Sequence, residues 1–230
     1  VSLLDAVVAT GIIPPDSVSR EEKKRFSERL SSNLAPEVAE GLRAVGFRGT
    51  KPLRGGPGEK AFQGGFGPKQ VDVSYSDERH GLLLAISIKS INFQPFGKNL
   101  ANRFADLCTE AINLHLRFPY AVVCGLFAFP IAADQDVTKK RTISTFQRAT
   151  TIFASISGRQ EYTDPPEKFE HFAMMPFQPV TEGGASPTTR LIDATSGREI
   201  SEREYVETVL RIYNKRNPQS MIINRGDIEE

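Results

Sequence analysis

Asp72 and Lys89 are placed where chemistry is easier to explain than packing. They lie in VDVSYSDERHGLLLAISIKSINF (Val71–Phe93), two apolar strand patterns around a polar turn. Alternation puts Gln70, Asp72 and Ser74 on one face of the first run, and Ala85, Ser87, Lys89 and Ile91 on one face of the second. Paired as a hairpin, the two runs direct Asp72 and Lys89 the same way. A carboxylate in that position can hold Mg²⁺ or Mn²⁺, which polarises a phosphate and lowers the pKa of bound water. A lysine beside it orients or activates that water and offsets charge in the transition state. One carboxylate rarely holds Mg²⁺ alone, so a second acid is required. The bland alternative is a salt bridge between two hairpin charges.

The elements that must position these residues follow from periodicity. Ser19 is an N-cap for a helix over Arg20–Ser31, and Leu34, Val38, Leu42 and Val45 mark a second helix that stops at Gly46. The glycine-rich stretch from Arg48 to Gln70, with three prolines, predicts a long loop of functional type. After the hairpin, Leu100, Phe104, Leu107, Ala111 and Leu114 form the apolar face of a helix over Lys98–Arg117. Its polar stripe carries Asn99, Asn102, Arg103, Asp106, Glu110, Asn113 and Arg117. YAVVCGLFAFP predicts a buried strand, TISTFQRATTIFASISG a helix, and FEHFAMMPFQP and TRLIDA short late strands. A last helix starts at Ser201 and runs to about Lys215. The order predicts one α/β domain of three layers, a central mixed sheet flanked by helices, with a parallel strand pair across the Lys98–Arg117 crossover.

Asp72, a gap of sixteen residues, then Lys89 at the end of an apolar strand followed by a helix resembles the PD-(D/E)xK, or restriction-endonuclease-like, nuclease superfamily. The resemblance covers roughly residues 36–130. It implies a restriction-endonuclease-like fold, with residues 1–33 as an N-terminal helical extension, 34–130 as the catalytic core, and 131–230 completing the sheet. In that family a strand acid and a lysine two residues after a second acid form the metal site, with the intervening backbone carbonyl, here that of Ile88, as a further ligand. This chain has Ser87 where the second acid stands, and Pro68 lies four residues before Asp72. A subgroup with serine at that position takes its acid from the following helix, where Asp106 and Glu110 stand one turn apart and Asp106, nearer the strand's end, is the preferred candidate. Glu40, or Glu37, on the helix before the first strand is a further candidate. The resemblance implies a Mg²⁺-dependent DNA endonuclease of restriction or phage defence, acting as a homodimer or within a larger defence complex. The alternative is a catalytically degenerate DNA-binding or assembly subunit of a defence or transposition complex.

Composition bounds these readings. At 39% hydrophobic and 25% charged residues, the 230-residue chain has a globular balance, and a net charge of +1 excludes a protein that coats DNA by bulk charge. Locally, Arg48, Lys51, Arg54, Lys60 and Lys69, with Arg43, face a single acid, Glu59, in the glycine-rich stretch. Together with Arg103 they are candidates for phosphate contacts, and Lys139–Arg141 is a second basic cluster. GGPG lacks the Lys-Ser/Thr ending of a phosphate-binding loop. His80, His115 and His171 are too scattered for a zinc site, and Cys108 and Cys124 suit a reducing compartment. No apolar run is long enough to span a membrane, and VSLLDAVVATGIIPP lacks the basic start of a signal peptide, so a cytoplasmic protein is expected.

Overall fold

The computed structural model describes residues 2–56, 58–140 and 142–223. Arg141, the last of the second basic cluster, and the tail from 224 lie outside them. Two short helices of the sequence reading are one: α2 runs unbroken from Arg20 to Ala44 with Pro36 inside it. Its start is fixed by a capping box in which Ser19 and Glu22 satisfy each other's backbone N–H groups. Pro36 forfeits one helical hydrogen bond, at roughly 3 kcal/mol. Phe26, Leu30, Leu34, Val38 and Leu42 continue one buried stripe across it, and at about 1.5–3 kcal/mol per buried side chain that stripe outweighs the proline. α1 (Leu3–Thr10) packs along α2 and joins the same core, with its Leu3 N–H bonded to Glu202 at 2.9 Å.

The glycine-rich stretch contains a hairpin, β1 (Lys60–Gln63) and β2 (Pro68–Val71), which forms a separate two-stranded sheet. The predicted loop is therefore structured in its second half. Alternation is too short there to be legible against seven glycines. The next hairpin, β3 (Val73–Asp77) and β4 (Gly81–Ser90), is antiparallel as expected. Helix α3 (Phe96–Arg117) then crosses to β5 (Val122–Pro130), which lies parallel to β4. After α4 (Thr145–Ser155), β6 (His171–Gln178) adds parallel to β5. Short antiparallel strands β7 (Thr188–Thr189), β8 (Leu191–Asp193) and β9 (Glu199–Ile200) close the far edge, and α5 (Glu202–Arg216) ends the fold.

The seven-stranded sheet is mixed and carries helices on both faces. Leu84, Ile86 and Ile88 of β4, with Cys124 and Leu126 of β5, pack into the core shared with α1, α2 and α5. Ala85, Val123, Phe127 and Phe172 pack on the opposite face with α3 and α4. Gly125 belongs to this second face, and a Cβ there would lie 2.2 Å from the Phe172 ring, so only glycine admits that ring. Among the described residues no helix is long and apolar enough to cross a membrane.

Candidate functional site

Asp72 sits at the bend where the chain leaves the two-stranded sheet and enters the seven-stranded one. The β3–β4 ladder begins at Val73 opposite Ile86, so Ile88 lies beyond its last pair. The Ile88 N–H donates instead to Asp72 Oδ2 at 2.7 Å, and Lys89 Nζ approaches the same oxygen at 3.2 Å. The hairpin thus brings together the acid and the lysine. Ser87, two residues before the lysine, is buried and its hydroxyl has no hydrogen-bond partner among the described residues.

Lys89 is shared. Its ammonium also lies 3.5 Å from Glu110 Oε2, which a second lysine, Lys69 of β2, approaches at 2.7 Å. Glu110 is only 2% exposed. Its ionic contacts are not aligned hydrogen bonds, and Oε1 has no partner among the described residues. Burial works against the charge on Lys89, but the carboxylates of Glu110 and Asp72 outweigh it and hold the lysine above its ordinary value. Glu110 and Asn113 belong to the polar stripe of α3, yet both are buried because the β1–β2 hairpin covers that flank. Phe66 N–H donates to Asn113 Oδ1 at 3.0 Å, and Asn113 Nδ2 donates to the Gly67 carbonyl at 3.0 Å. A Cβ on Gly64 would meet Asn113 at 2.3 Å, so the close approach of the hairpin turn depends on glycine.

A second carboxylate does reach Asp72, and it is Glu59. Partial burial first, then the charge of Asp72 and a hydrogen bond shared with it, push the Glu59 carboxyl above its ordinary value. A proton or a cation between two such like charges relieves their repulsion. Sequence reasoning did not select Glu59, although it is the lone acid in the basic glycine-rich stretch, and that isolation was the available signal. Both carboxyls open on a cleft of about 1090 Å³ at the carboxyl end of β4, between the first half of α2 and the first half of α3. In open α/β sheets ligands bind outside the carboxyl ends of the strands.

The other candidates fall at varied distances from this centre. Asp106 lines the cleft but is exposed and bonded to Arg103 at 3.1 Å. Glu40 is turned to Arg43 at 2.7 Å, and that bond lowers its carboxyl below the usual range. Glu37 is buried and engaged by Arg54 and by the Ser2 N–H. Among the basic candidates, Lys69 enters the site and Arg103 lines the cleft. Lys60 donates to Ser76 Oγ at 2.8 Å, Lys51 pairs through its backbone with Ser74, and Arg48 is exposed; none of these, nor Arg54, lines the cleft. Among the described residues no group of three or more His, Cys, Asp or Glu side chains is arranged to hold a metal by itself.

The molecule is an α/β protein whose mixed sheet carries a carboxylate–lysine centre at one strand end. No family model, no curated protein and no solved structure matches the chain.

Proposed function

We propose that the chain is a Mg²⁺-dependent DNA endonuclease of restriction-endonuclease-like architecture. The observation that carries this reading is the lining of one open cleft by the Glu59 and Asp72 carboxyls together with Lys89, which is ion-paired to Asp72. The succession of α2, hairpin strands, α3 and parallel β5 supports the same reading. Two hard carboxylate oxygens with room for water and a substrate phosphate suit Mg²⁺, which is commonly bound by one or two carboxylates rather than by a full protein cage. Bound there, the ion would supply Lewis acidity to a phosphate and a more acidic water.

The remaining work belongs to the chain. Asp72 is fixed through Oδ2 by the Ile88 N–H, so its carboxylate is held in place without reorganisation. Lys89, charged and held between Asp72 and Glu110, orients the attacking water and offsets negative charge on the phosphate. Glu59, Asp72 and Glu110 against Lys69 and Lys89 leave one formal negative charge. A divalent cation turns that into one positive charge, the complement of a single phosphodiester. The Asp72–Lys89 ion pair is also what a purely structural pair would show. The third carboxylate, the second lysine and the partnerless Glu110 Oε1 exceed what such a pair needs.

The test is cleavage of supercoiled plasmid in Mg²⁺, with Glu59→Gln and Lys89→Ala as comparisons. Both substitutions abolish cleavage if the centre is the active site. Cleavage that survives Lys89→Ala would falsify the assignment. The second reading, a DNA-binding subunit without chemistry, is favoured by the lack, among the described residues, of a group of three or more His, Cys, Asp or Glu side chains arranged to hold a metal. It predicts DNA binding that neither Mg²⁺ nor these two substitutions alter.

A further inference from the structure

The glycine-rich stretch looked like the surface for a nucleic acid, but the cleft that opens on Asp72 is walled by other residues. We infer that the first half of α2, from Arg20 to Ser32, together with the facing turns of α3, is the track that holds the phosphodiester backbone of the DNA substrate. The inference rests on the nuclease reading for the identity of the polymer, and on the cleft alone for the location.

Arg20, Lys23, Lys24, Ser27, Ser31 and Ser32 all line the cleft. At about 100° per residue, Arg20, Lys24, Ser27 and Ser31 fall within roughly 60° of one another, next to the buried stripe of Phe26, Leu30 and Leu34, with Lys23 at the border of that stripe and Ser32 farther round the helix. The opposite wall supplies Asn99, Asn102 and Arg103, and the floor supplies Asn92 and Gln94. Glu28 and Asp106 also line these walls, each paired with a cation of its own helix, and the remaining cations and neutral donors are what phosphate and sugar oxygens accept from. Among the described residues the only aromatic lining the cleft is Phe93, which is 7% exposed and offers no platform for stacking bases.

The cations are available. Arg20 makes no ion pair among the described residues. Lys24 is held by Glu28 at 3.5 Å and Arg103 by Asp106 at 3.1 Å, both as exposed pairs on single helices. Such pairs contribute little and exchange readily for a phosphate. Lys23 lies over the Phe93 ring at 5.5 Å and near Asp16 at 3.5 Å, which fixes its stem at the mouth of the cleft. Glu59, Asp72 and Lys89 line the same cleft, so a backbone held in the track brings a phosphate to them.

The experiment is fluorescence anisotropy of a labelled DNA duplex of arbitrary sequence, at salt from about 50 to 200 mM. It uses the full chain with Lys89→Ala to prevent turnover, compared with the same chain carrying Arg20→Glu and Lys24→Glu. A third chain carrying Arg48→Glu and Lys51→Glu is the control. Both α2 positions are exposed, so thermal unfolding checks that the fold is retained. The expected result is at least a 10-fold loss of affinity and a salt slope lower by about two for the α2 variant, with a smaller loss for the control. Equal affinity and slope in the α2 variant overturn the inference, as does a loss confined to the control. Light scattering is run alongside: a dimer lost on α2 reversal with DNA affinity intact gives the surface to a second copy of the chain and also overturns it. Wild-type plasmid cleavage separates the two proposals. Cleavage with α2 reversal silent sinks the track and leaves the nuclease; α2-dependent binding without cleavage keeps the track and sinks the nuclease. A labelled RNA duplex bound more tightly than DNA through the same α2 residues overturns the stated substrate.

Discussion

Two buried glutamates, Glu170 and Glu110, sit under opposite regimes. Each is 2% exposed and each faces cations. Glu170 stands just before β6, where Oε1 accepts from Arg159 at 2.6 Å and from Arg216 at 3.1 Å. Its Oε2 accepts from the Val123 N–H at 2.8 Å and lies 3.3 Å from His115. Burial opposes the charge, but His115, the Val123 N–H and Arg159 outweigh it and hold the carboxyl below its usual range. Arg159 also bonds the Tyr162 carbonyl and Arg216 the Gln160 carbonyl, so one carboxylate fastens α5 and the 158–170 loop to the sheet. Glu110 has lysines instead, no aligned hydrogen bond, and one oxygen without a partner among the described residues. Arginine forks lock geometry, whereas a lysine is a mobile point charge. The saturated cluster is a fastener. The unsaturated one keeps its charges free to meet something else.

The largest expected effect breaks the open cluster. Lys89→Ala lowers Mg²⁺-dependent cleavage by about 10³-fold, read as the initial rate on plasmid, while the folded state survives because Lys69 still faces Glu110. The closed cluster breaks differently. Glu170→Ala strands two buried arginines and destabilises the fold by about 3–5 kcal/mol, measured by urea unfolding. A loss below about 1 kcal/mol, the level of an exposed pair, would erase the distinction between the clusters.

Glu110→Gln sharpens the comparison. The amide keeps the shape but removes the charge that raises Lys89, so the lysine loses its proton at lower pH. The alkaline limb of the cleavage profile moves to lower pH while the rate at neutral pH changes less than the limb does. A purely structural Glu110 would lower stability and leave the position of that limb unchanged. Glu170→Gln is the matched control and should not move it.

The two clusters also differ in what the sequence disclosed. Asp72 and Lys89 are seventeen positions apart in one hairpin, so alternation and register alone place them together. Glu170 meets Arg159, Arg216 and Val123 at separations of 11, 46 and 47 residues, which no local pattern encodes. Glu59 was missed for a related reason. It precedes a four-residue strand among glycines, and only the folded hairpin shows where that strand lies. The same hairpin explains why Glu110 and Asn113, read as part of a polar helix stripe, are covered. The layers, the parallel crossover and the buried β5 strand follow from strong periodicity. The unbroken α2 does not, because tertiary packing overrides the local proline signal.

The smallest effect is a difference in sign between two titrations. Glu170 has a folded pKa below its ordinary 4.5, so its contribution is present above that value and is lost as pH falls through the lower folded value. Glu59 has a folded pKa above its ordinary 4.5, so its penalty is absent below that value and grows as pH rises through the higher folded value. Thermal unfolding between about pH 2 and 7 therefore shows two opposed slopes, with Glu59→Gln removing only the upper one. Mg²⁺ favours the ionised Glu59–Asp72 pair, so its stabilisation of the wild type grows with pH across that upper window and vanishes in Glu59→Gln. A Mg²⁺ effect of equal size in both proteins would remove the ion from the Glu59–Asp72 pair. The Glu170 cluster, already saturated by its own arginines, serves as the internal reference: its acid limb stays where it is with or without the ion.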